Sequence, residues 1–261
     1  MLSEQQITDF HTFGFLIIRQ LFSPDELQTI NAEFDFAMDT SYRHAPFDGT
    51  RRHWVTMVGP QTPFFASLLE DPRFCTVAEQ LYGEDVIGAV SDANRYVRES
   101  NWHRDTGNRH QYGVKFAYYL QPVGAESGAL RVVPGSHKHP ISDNLAHYFS
   151  QSELGIQDVP AYVCESEPGD VVAFDLRCYH ASWGGSKDRR MCTVVYYNNP
   201  KSPEEEDATR VQVGGFATSG TPASFNRPDD PFYDPHWIAN SERSVKRQRW
   251  LDRMRELGCA I

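Results

Sequence analysis

Several features are scarce in this chain, and each scarcity excludes something. The five cysteines, Cys75, Cys164, Cys178, Cys192 and Cys259, are odd in number and form no Cys-x-x-Cys pair. That argues against a disulfide framework and for reduced thiols in a cytoplasm. No apolar run approaches the roughly 18–20 residues of a membrane span. Positive charge is in deficit, with 25 Lys and Arg against 35 Asp and Glu and a formal net charge of -10. Nucleic acid and anionic membrane surfaces both require a basic face, so neither is expected as a partner. The start, Met1-Leu2-Ser3-Glu4, has neither the basic region nor the apolar stretch of a secretion signal. No internal repeat and no domain boundary stands out.

What is present is enough apolar matter for one sizeable core: of 261 residues, 40% are hydrophobic and 13% are aromatic. Ser3-Glu4-Gln5-Gln6 is a capping box, which predicts a helix to about Phe13 ended by Gly14. Phe15–Arg19 reads as a strand. Ser23-Pro24-Asp25-Glu26 starts a second helix, with Ser as N-cap and Pro in the first position. Residues 40–60 lack periodicity and read as a loop carrying Arg43, Arg51, Arg52, His53 and Trp54. Asp71-Pro72 opens a third helix that stops near Gly83. From there the pattern is β: Val86–Val97, Gly113–Leu120, Ala129–Val133, Val171–Asp175 and Met191–Asn198 are short apolar runs separated by Pro-Gly and Gly-Gly turns. Strands of this kind predict a sandwich or barrel. Residues 199–240, rich in Pro, Gly and acids, read as a long excursion and a candidate lid. Ser241 is expected to cap a last helix, with Val245, Leu251, Met254 and Leu257 as its apolar stripe and its many arginines solvated.

Chemistry enters at Asn101-Trp102-His103-Arg104-Asp105. In an extended backbone, residues two apart point to the same side, so His103 and Asp105 aim at one point. One further imidazole would complete a set of two His and one carboxylate, which leaves three positions of an octahedron open and suits a non-haem Fe(II) oxygenase. His180, in Arg177-Cys178-Tyr179-His180-Ala181-Ser182, is expected at the end of a strand and supplies it. Asp188-Arg189-Arg190 leads into the next apolar strand, where the planar fork of an arginine can hold a carboxylate. His137-Lys138-His139 and Cys178 are weaker ligand candidates.

These residues, in this order, resemble the phytanoyl-CoA dioxygenase family of Fe(II)- and 2-oxoglutarate-dependent oxygenases. The resemblance runs from the N-terminal helix to about Asn198. It is carried by His103-Arg104-Asp105, Glu126-Ser127-Gly128 through Pro134-Gly135-Ser136-His137, Glu167-Pro168-Gly169-Asp170, His180-Ala181-Ser182 and Arg189-Arg190. It implies a mainly β chain with flanking helices, a cupin-like double-stranded β-helix or jelly roll. The single domain 1–261 would comprise N-terminal helices 1–84, a jelly-roll core 85–198, the excursion 199–240 and a C-terminal helix 241–258. It also implies iron on His103, Asp105 and His180, and 2-oxoglutarate held through its distal carboxylate by Arg189 with help from Ser182. O2 would be the oxidant, and ascorbate a reductant that keeps iron ferrous. The implied reaction is hydroxylation or another oxidation of an aliphatic carbon in a small-molecule substrate, with 2-oxoglutarate going to succinate and CO2. Asp105 occupies the place where related halogenases carry a small residue, so halogenation is not expected. The connection from His180 to Arg189 is shorter than usual in the family, which leaves Arg190 as an alternative clamp. The family's Trp after His-x-Asp is replaced near Ala117. Two other readings remain on the residues alone: a non-redox cupin-type metalloenzyme, and a non-catalytic jelly-roll binding module.

Overall fold

The computed structural model describes residues 1–83, 85–151, 153–185, 187–214 and 233–259. Two antiparallel sheets form its centre. The six-stranded sheet has the order β1 (Phe15–Ile18), β8 (Val171–Asp175), β5 (Gly113–Tyr119), β10 (Arg189–Tyr197), β3 (Ile87–Tyr96), β2 (His53–Thr56). The four-stranded sheet has the order β4 (Ser100–His103), β9 (His180–Ser182), β6 (Leu130–Val132), β7 (Tyr162–Cys164). Ala117, Tyr119, Val172, Phe174 and Met191 of the first sheet share one buried cluster with Leu130, Val132 and Cys164 of the second. The sheets therefore pack face to face around an inner core, the sandwich expected from the strand pattern and the jelly-roll arrangement that the family resemblance implies.

Alternation along the strands sends the other residues outward. Val114, Phe116 and Tyr118 of β5 and Cys192 and Val194 of β10 join a larger cluster under the helices. Those helices are α1 (Glu4–Phe13), α2 (Pro24–Ser41), α3 (Pro63–Leu68) and α4 (Pro72–Tyr82), with α8 (Val245–Glu256) from the far end of the chain. Three of the starts are set locally. Ser3 and Ser23 each make a complete capping box, with Gln6 and Glu26 reaching back, and Asp71 accepts from the Arg73 amide. Each such cap contributes about 1 kcal/mol. Gly14 ends α1 at φ +85°, a conformation that favours glycine, and a β-carbon there would also press on His137.

The structure differs from expectation in several elements. The stretch 40–60 contains β2, whose four residues are too short to show alternation, and α3 follows it. Helix α5 (Ile141–Gln151) is not among the expected elements; it buries only Ser142 outright, although Phe149 on its apolar face stacks on Trp102 and packs against Tyr179. The last helix is capped by Ser244 rather than Ser241, which opens a short 3-10 turn, Ser241–Arg243. Val245 is 87% exposed, and Trp250 takes its place beside Leu251 and Met254. The arginines of α8 are not simply solvated. Lys246 pairs with Glu79, Arg247 with Glu70, Arg249 with Asp85 and Arg253 with Glu206, so the helix is clamped to the body. Within the excursion, α6 (Pro203–Thr209), a π-helical turn at Arg210–Gly214 and α7 (Pro235–Ala239) are formed. The rest of the candidate lid, 215–232, lies outside the described residues. No described helix is long and apolar enough to cross a membrane.

Candidate metal centre and anion pocket

The registry of the small sheet sets the site. His103 closes β4 and is the direct partner of His180, which opens β9. His180 thus begins a strand instead of ending one. The turn Leu176–Tyr179 carries the chain from β8 in one sheet to β9 in the other. The same turn fixes Asp105, which lies just past the end of β4: the amides of Asp105 and Thr106 both donate to the Leu176 carbonyl, at 3.0 and 3.2 Å. The two imidazole centroids are 4.2 Å apart, and His180 Nε2 is 3.9 Å from Asp105 Oδ1. One donor atom from each of His103, Asp105 and His180 lies within 4.8 Å of the others. Among the described residues no other group of three His, Cys, Asp or Glu side chains meets in this way.

Backbone carbonyls select the ring nitrogens. His103 Nδ1–H donates to the Asn101 carbonyl at 2.7 Å, and His180 Nδ1–H donates to the Cys178 carbonyl at 2.9 Å. A carbonyl only accepts, so each Nδ1 carries its proton and Nε2 is the nitrogen left for a metal, the arrangement metal-binding histidines use. Burial depresses the His180 pKa to about 4, so this imidazole is neutral and ready to coordinate at neutral pH. Burial pushes the Asp105 carboxyl upward, but the Lys115 ammonium and the two imidazoles outweigh it and hold its pKa at about 2. Lys115 Nζ lies 2.8 Å from Asp105 Oδ2 as an ion pair, off the direction of a hydrogen bond. The donor set is therefore two imidazole nitrogens and one carboxylate oxygen, chemistry that fits a divalent metal with open positions.

A second feature lies beyond Ser182 on β9. Arg189, the first residue of β10, is 2% exposed. Its Nη2 donates to Ser182 Oγ at 2.9 Å and its Nη1 to the Arg98 carbonyl at 3.3 Å, and its guanidinium stacks 5.1 Å from the Tyr96 ring centre. Its Nε has no hydrogen-bond partner, and no carboxylate pairs with it among the described residues. A buried guanidinium without an anion is costly. Room for it is made by Gly128 and Gly185, where a β-carbon would collide with Nη1. Arg190 points the other way, as strand alternation requires. It pairs with Asp35 at 2.7 Å and lies over Phe34 on the helix side of the sheet.

The remaining sequence candidates stand apart. His139 pairs with Asp143 at 2.8 Å, and His137 sits 3.7 Å from the Cys178 sulfur near the Gly14 carbonyl. Burial pushes the Cys178 thiol far up, so it is no thiolate ligand. Outside that candidate set, Arg95 is paired with Asp188 and stacked on Phe47, and Arg43 donates to the Thr40 carbonyl. Sequence reasoning missed Lys115. Its signal was a lysine in the middle of an apolar strand, Val114-Lys115-Phe116-Ala117.

Known proteins similar in sequence and fold place the chain in a family. The sequence profile of the phytanoyl-CoA dioxygenase family (PhyH) matches residues 10–192. An ectoine dioxygenase from Bordetella bronchiseptica is 25% identical over 217 residues, covering 69% of this chain and 70% of that protein. HygX from Streptomyces hygroscopicus, solved with nickel and 2-oxoglutarate bound, superposes with a TM-score of 0.62 at 21% identity, over 76% of this chain and 87% of that one. EctD from S. alaskensis, solved with bound Fe, gives 0.59 at 23% identity over 78% and 80%. Against EvdMO1 the score is 0.59 at 22% identity over 76% of this chain, which spans half of that larger protein. With the profile covering well over half of its length, the chain belongs to the phytanoyl-CoA dioxygenase family.

Proposed function

We propose that His103, Asp105 and His180 hold Fe(II), that Arg189 with Ser182 receives the distal carboxylate of 2-oxoglutarate, and that the protein oxidises an aliphatic carbon of a small polar molecule. The observation that carries this reading is a three-donor site that includes His180 and, two residues further along β9 at Ser182, a buried cation from β10, Arg189, which no carboxylate pairs with among the described residues. Arg189 and Ser182 would hold one carboxylate of a dicarboxylate, two residues along β9 from the ligand His180. Iron held by His103, Asp105 and His180 would supply the oxygen activation that couples decarboxylation of 2-oxoglutarate to oxidation of the substrate.

The chain's own residues do the rest. The two imidazoles and one carboxylate keep the metal while leaving positions for co-substrate and O2. Ser182 Oγ accepts from Arg189 and from the Ser100 amide at 3.1 Å, so it is held beside the guanidinium. Strand alternation and registry indicate the substrate class. Thr193 is the cross-strand partner of Ala117 and of Asp92, and Asp92 is the partner of Thr56. Cross-strand partners share a face, so all of these line the inner wall with Ala117. In the next row, Asn94 Nδ2 donates to Asp92 Oδ1 at 2.8 Å, and Arg52 Nε to Asn94 Oδ1 at 2.9 Å. Thr193 Oγ1 is buried with no hydrogen bond among the described residues. Polar groups set into an inner wall favour a ligand that hydrogen-bonds over a long acyl chain.

The test is 2-oxoglutarate consumption and succinate release with Fe(II) and O2 across a library of small polar metabolites, with ectoine among the first compounds. Succinate formation stimulated by a polar compound supports the reading. Metal retention without any succinate would leave a non-redox site. A smaller perturbation probes the anion pocket alone. Gly128→Ala places a methyl against Arg189 Nη1 at a backbone with φ +92°. It is expected to raise the KM for 2-oxoglutarate by about tenfold, the effect of losing ~1.4 kcal/mol, with Fe(II) affinity unchanged. Steady-state kinetics and metal titration together check this.

A further inference from the structure

Lys115 lies on the inner face of β5, in phase with Ala117 and Tyr119 and opposite Phe174 of β8. An ammonium among such neighbours is costly unless paired. Its anion is Asp105: Nζ is 2.8 Å from Oδ2 and 5.9 Å from the Phe174 ring centre, and each side chain of the pair is about a fifth exposed. The other oxygen of the same carboxylate, Oδ1, faces the imidazoles, 3.9 Å from His180 Nε2. The two oxygens are thus divided between a fixed cation and the metal-facing side.

Resting on the reading of His103, Asp105 and His180 as iron ligands, we propose that Lys115 is a positioning residue that confines Asp105 to ligation through Oδ1 alone. Carboxylates bind metals through one oxygen or two. A two-oxygen Asp105 would take a fourth coordination position and leave two where 2-oxoglutarate and O2 need three. The charge of Lys115 opposes a divalent cation, so its contribution is not affinity. A residue that merely supported the fold would, when removed, weaken metal binding. Removing a residue with the proposed role leaves metal binding as tight or tighter and changes the coordination.

The experiment uses Co(II) as an anaerobic stand-in for iron in the full chain. Wild type, Lys115→Met and Lys115→Arg are compared by Co(II) titration, by ligand-field absorption, and by 2-oxoglutarate binding to the Co(II) form. Lys115→Met is expected to hold Co(II) at least as tightly as wild type, to shift the absorption toward a higher coordination number, and to bind 2-oxoglutarate at least about tenfold more weakly, the scale on which residues behind metal ligands act. Lys115→Arg, which keeps the charge near Oδ2, is expected to restore both. Should Lys115→Met not fold, Lys115→Gln, polar but shorter in reach, carries the same expectations. Co(II) affinity that falls more than about tenfold with an unchanged spectrum would reduce Lys115 to structural support. Unchanged metal and 2-oxoglutarate binding with only a raised KM for the oxidised substrate would make it a substrate-binding cation. Failure of the wild type to bind one Co(II), or retention of Co(II) by His180→Ala, would instead strike the metal-site reading on which this inference rests.

Discussion

Asp105→Ala is expected to remove both iron binding and turnover, with a loss larger than one missing ligand accounts for. The substitution deletes the only carboxylate of the donor set and also strips Lys115 of its anion, leaving an ammonium pointed at the place a divalent cation must occupy. Uncompensated buried charge costs on the order of 3–5 kcal/mol. Lys115 retains some solvent contact, which brings the estimate to about 3 kcal/mol at most for the fold itself. Fe(II) affinity is expected to fall by about 10³ or more, since a lost ligand and a new repulsion act together. The double variant Asp105→Ala/Lys115→Met removes the stranded cation and is expected to melt higher and to retain more metal than the single one. Metal content after gel filtration, thermal unfolding and 2-oxoglutarate turnover measure all three effects. Undiminished turnover in Asp105→Ala contradicts the ligand assignment.

Arg189→Met has an unusual expected signature, in which function is lost and stability is not. In the protein without co-substrate the guanidinium is buried, its Nε is unpartnered and no carboxylate answers it among the described residues. Replacing such a group by an apolar side chain of similar length is often neutral or stabilising by about 1–4 kcal/mol. The co-substrate complex loses its only proposed counter-charge, and a desolvated charge pair broken from one side costs about 2–5 kcal/mol. The KM for 2-oxoglutarate should therefore rise by about 10² or more, while Tm is unchanged or increased. Arg190→Leu is the control. That residue pairs with Asp35 on the outer side of the sheet, with Asp35 60% exposed. Exposed pairs contribute about 0–1 kcal/mol, and 2-oxoglutarate kinetics should be unaffected. A drop in stability for Arg189→Met with unchanged KM would assign Arg189 to the fold instead.

The parts of this molecule that were legible in the sequence are those with local or strictly ordered signals. Ser3 and Ser23 announce helices because a capping box is complete within four residues. His103, Asp105, His180, Ser182 and Arg189 stand out through their order and spacing, and the structure gathers the first three at one point and the last two at another. The choice between Arg189 and Arg190 was open because the connection from His180 is shorter than usual in the family, and a lone Thr193 in the otherwise apolar run Met191–Tyr197 does not settle which face of β10 is inward. Burial of one and exposure of the other follow only from the packed sheets. Lys115 was passed over for a related reason: a single charge in an apolar strand has meaning only when the side it faces is known. Strand β2 gives no periodic signal, being only four residues long, whereas helix α5 was passed over although Ile141, Leu145, Tyr148 and Phe149 recur at helical spacing. Trp250 replaces Val245 in the helix stripe because the N-cap is Ser244, which puts Val245 in the exposed first turn. The polar inner wall of Asp92, Asn94 and Thr193 needed registry across three strands, which no single stretch of sequence contains.

The central claim is that one iron and one 2-oxoglutarate meet on this chain, joined by a donor triad and an arginine. Anaerobic titration of the Fe(II)-loaded protein with 2-oxoglutarate, followed by visible absorption, tests it most directly, because a 2-oxo acid chelating Fe(II) gives a metal-to-ligand charge-transfer band. The account predicts a band that saturates at one co-substrate per chain, vanishes in His180→Ala and requires far more 2-oxoglutarate in Arg189→Met. Iron bound without any band in the wild type, or a band untouched by both substitutions, would contradict it.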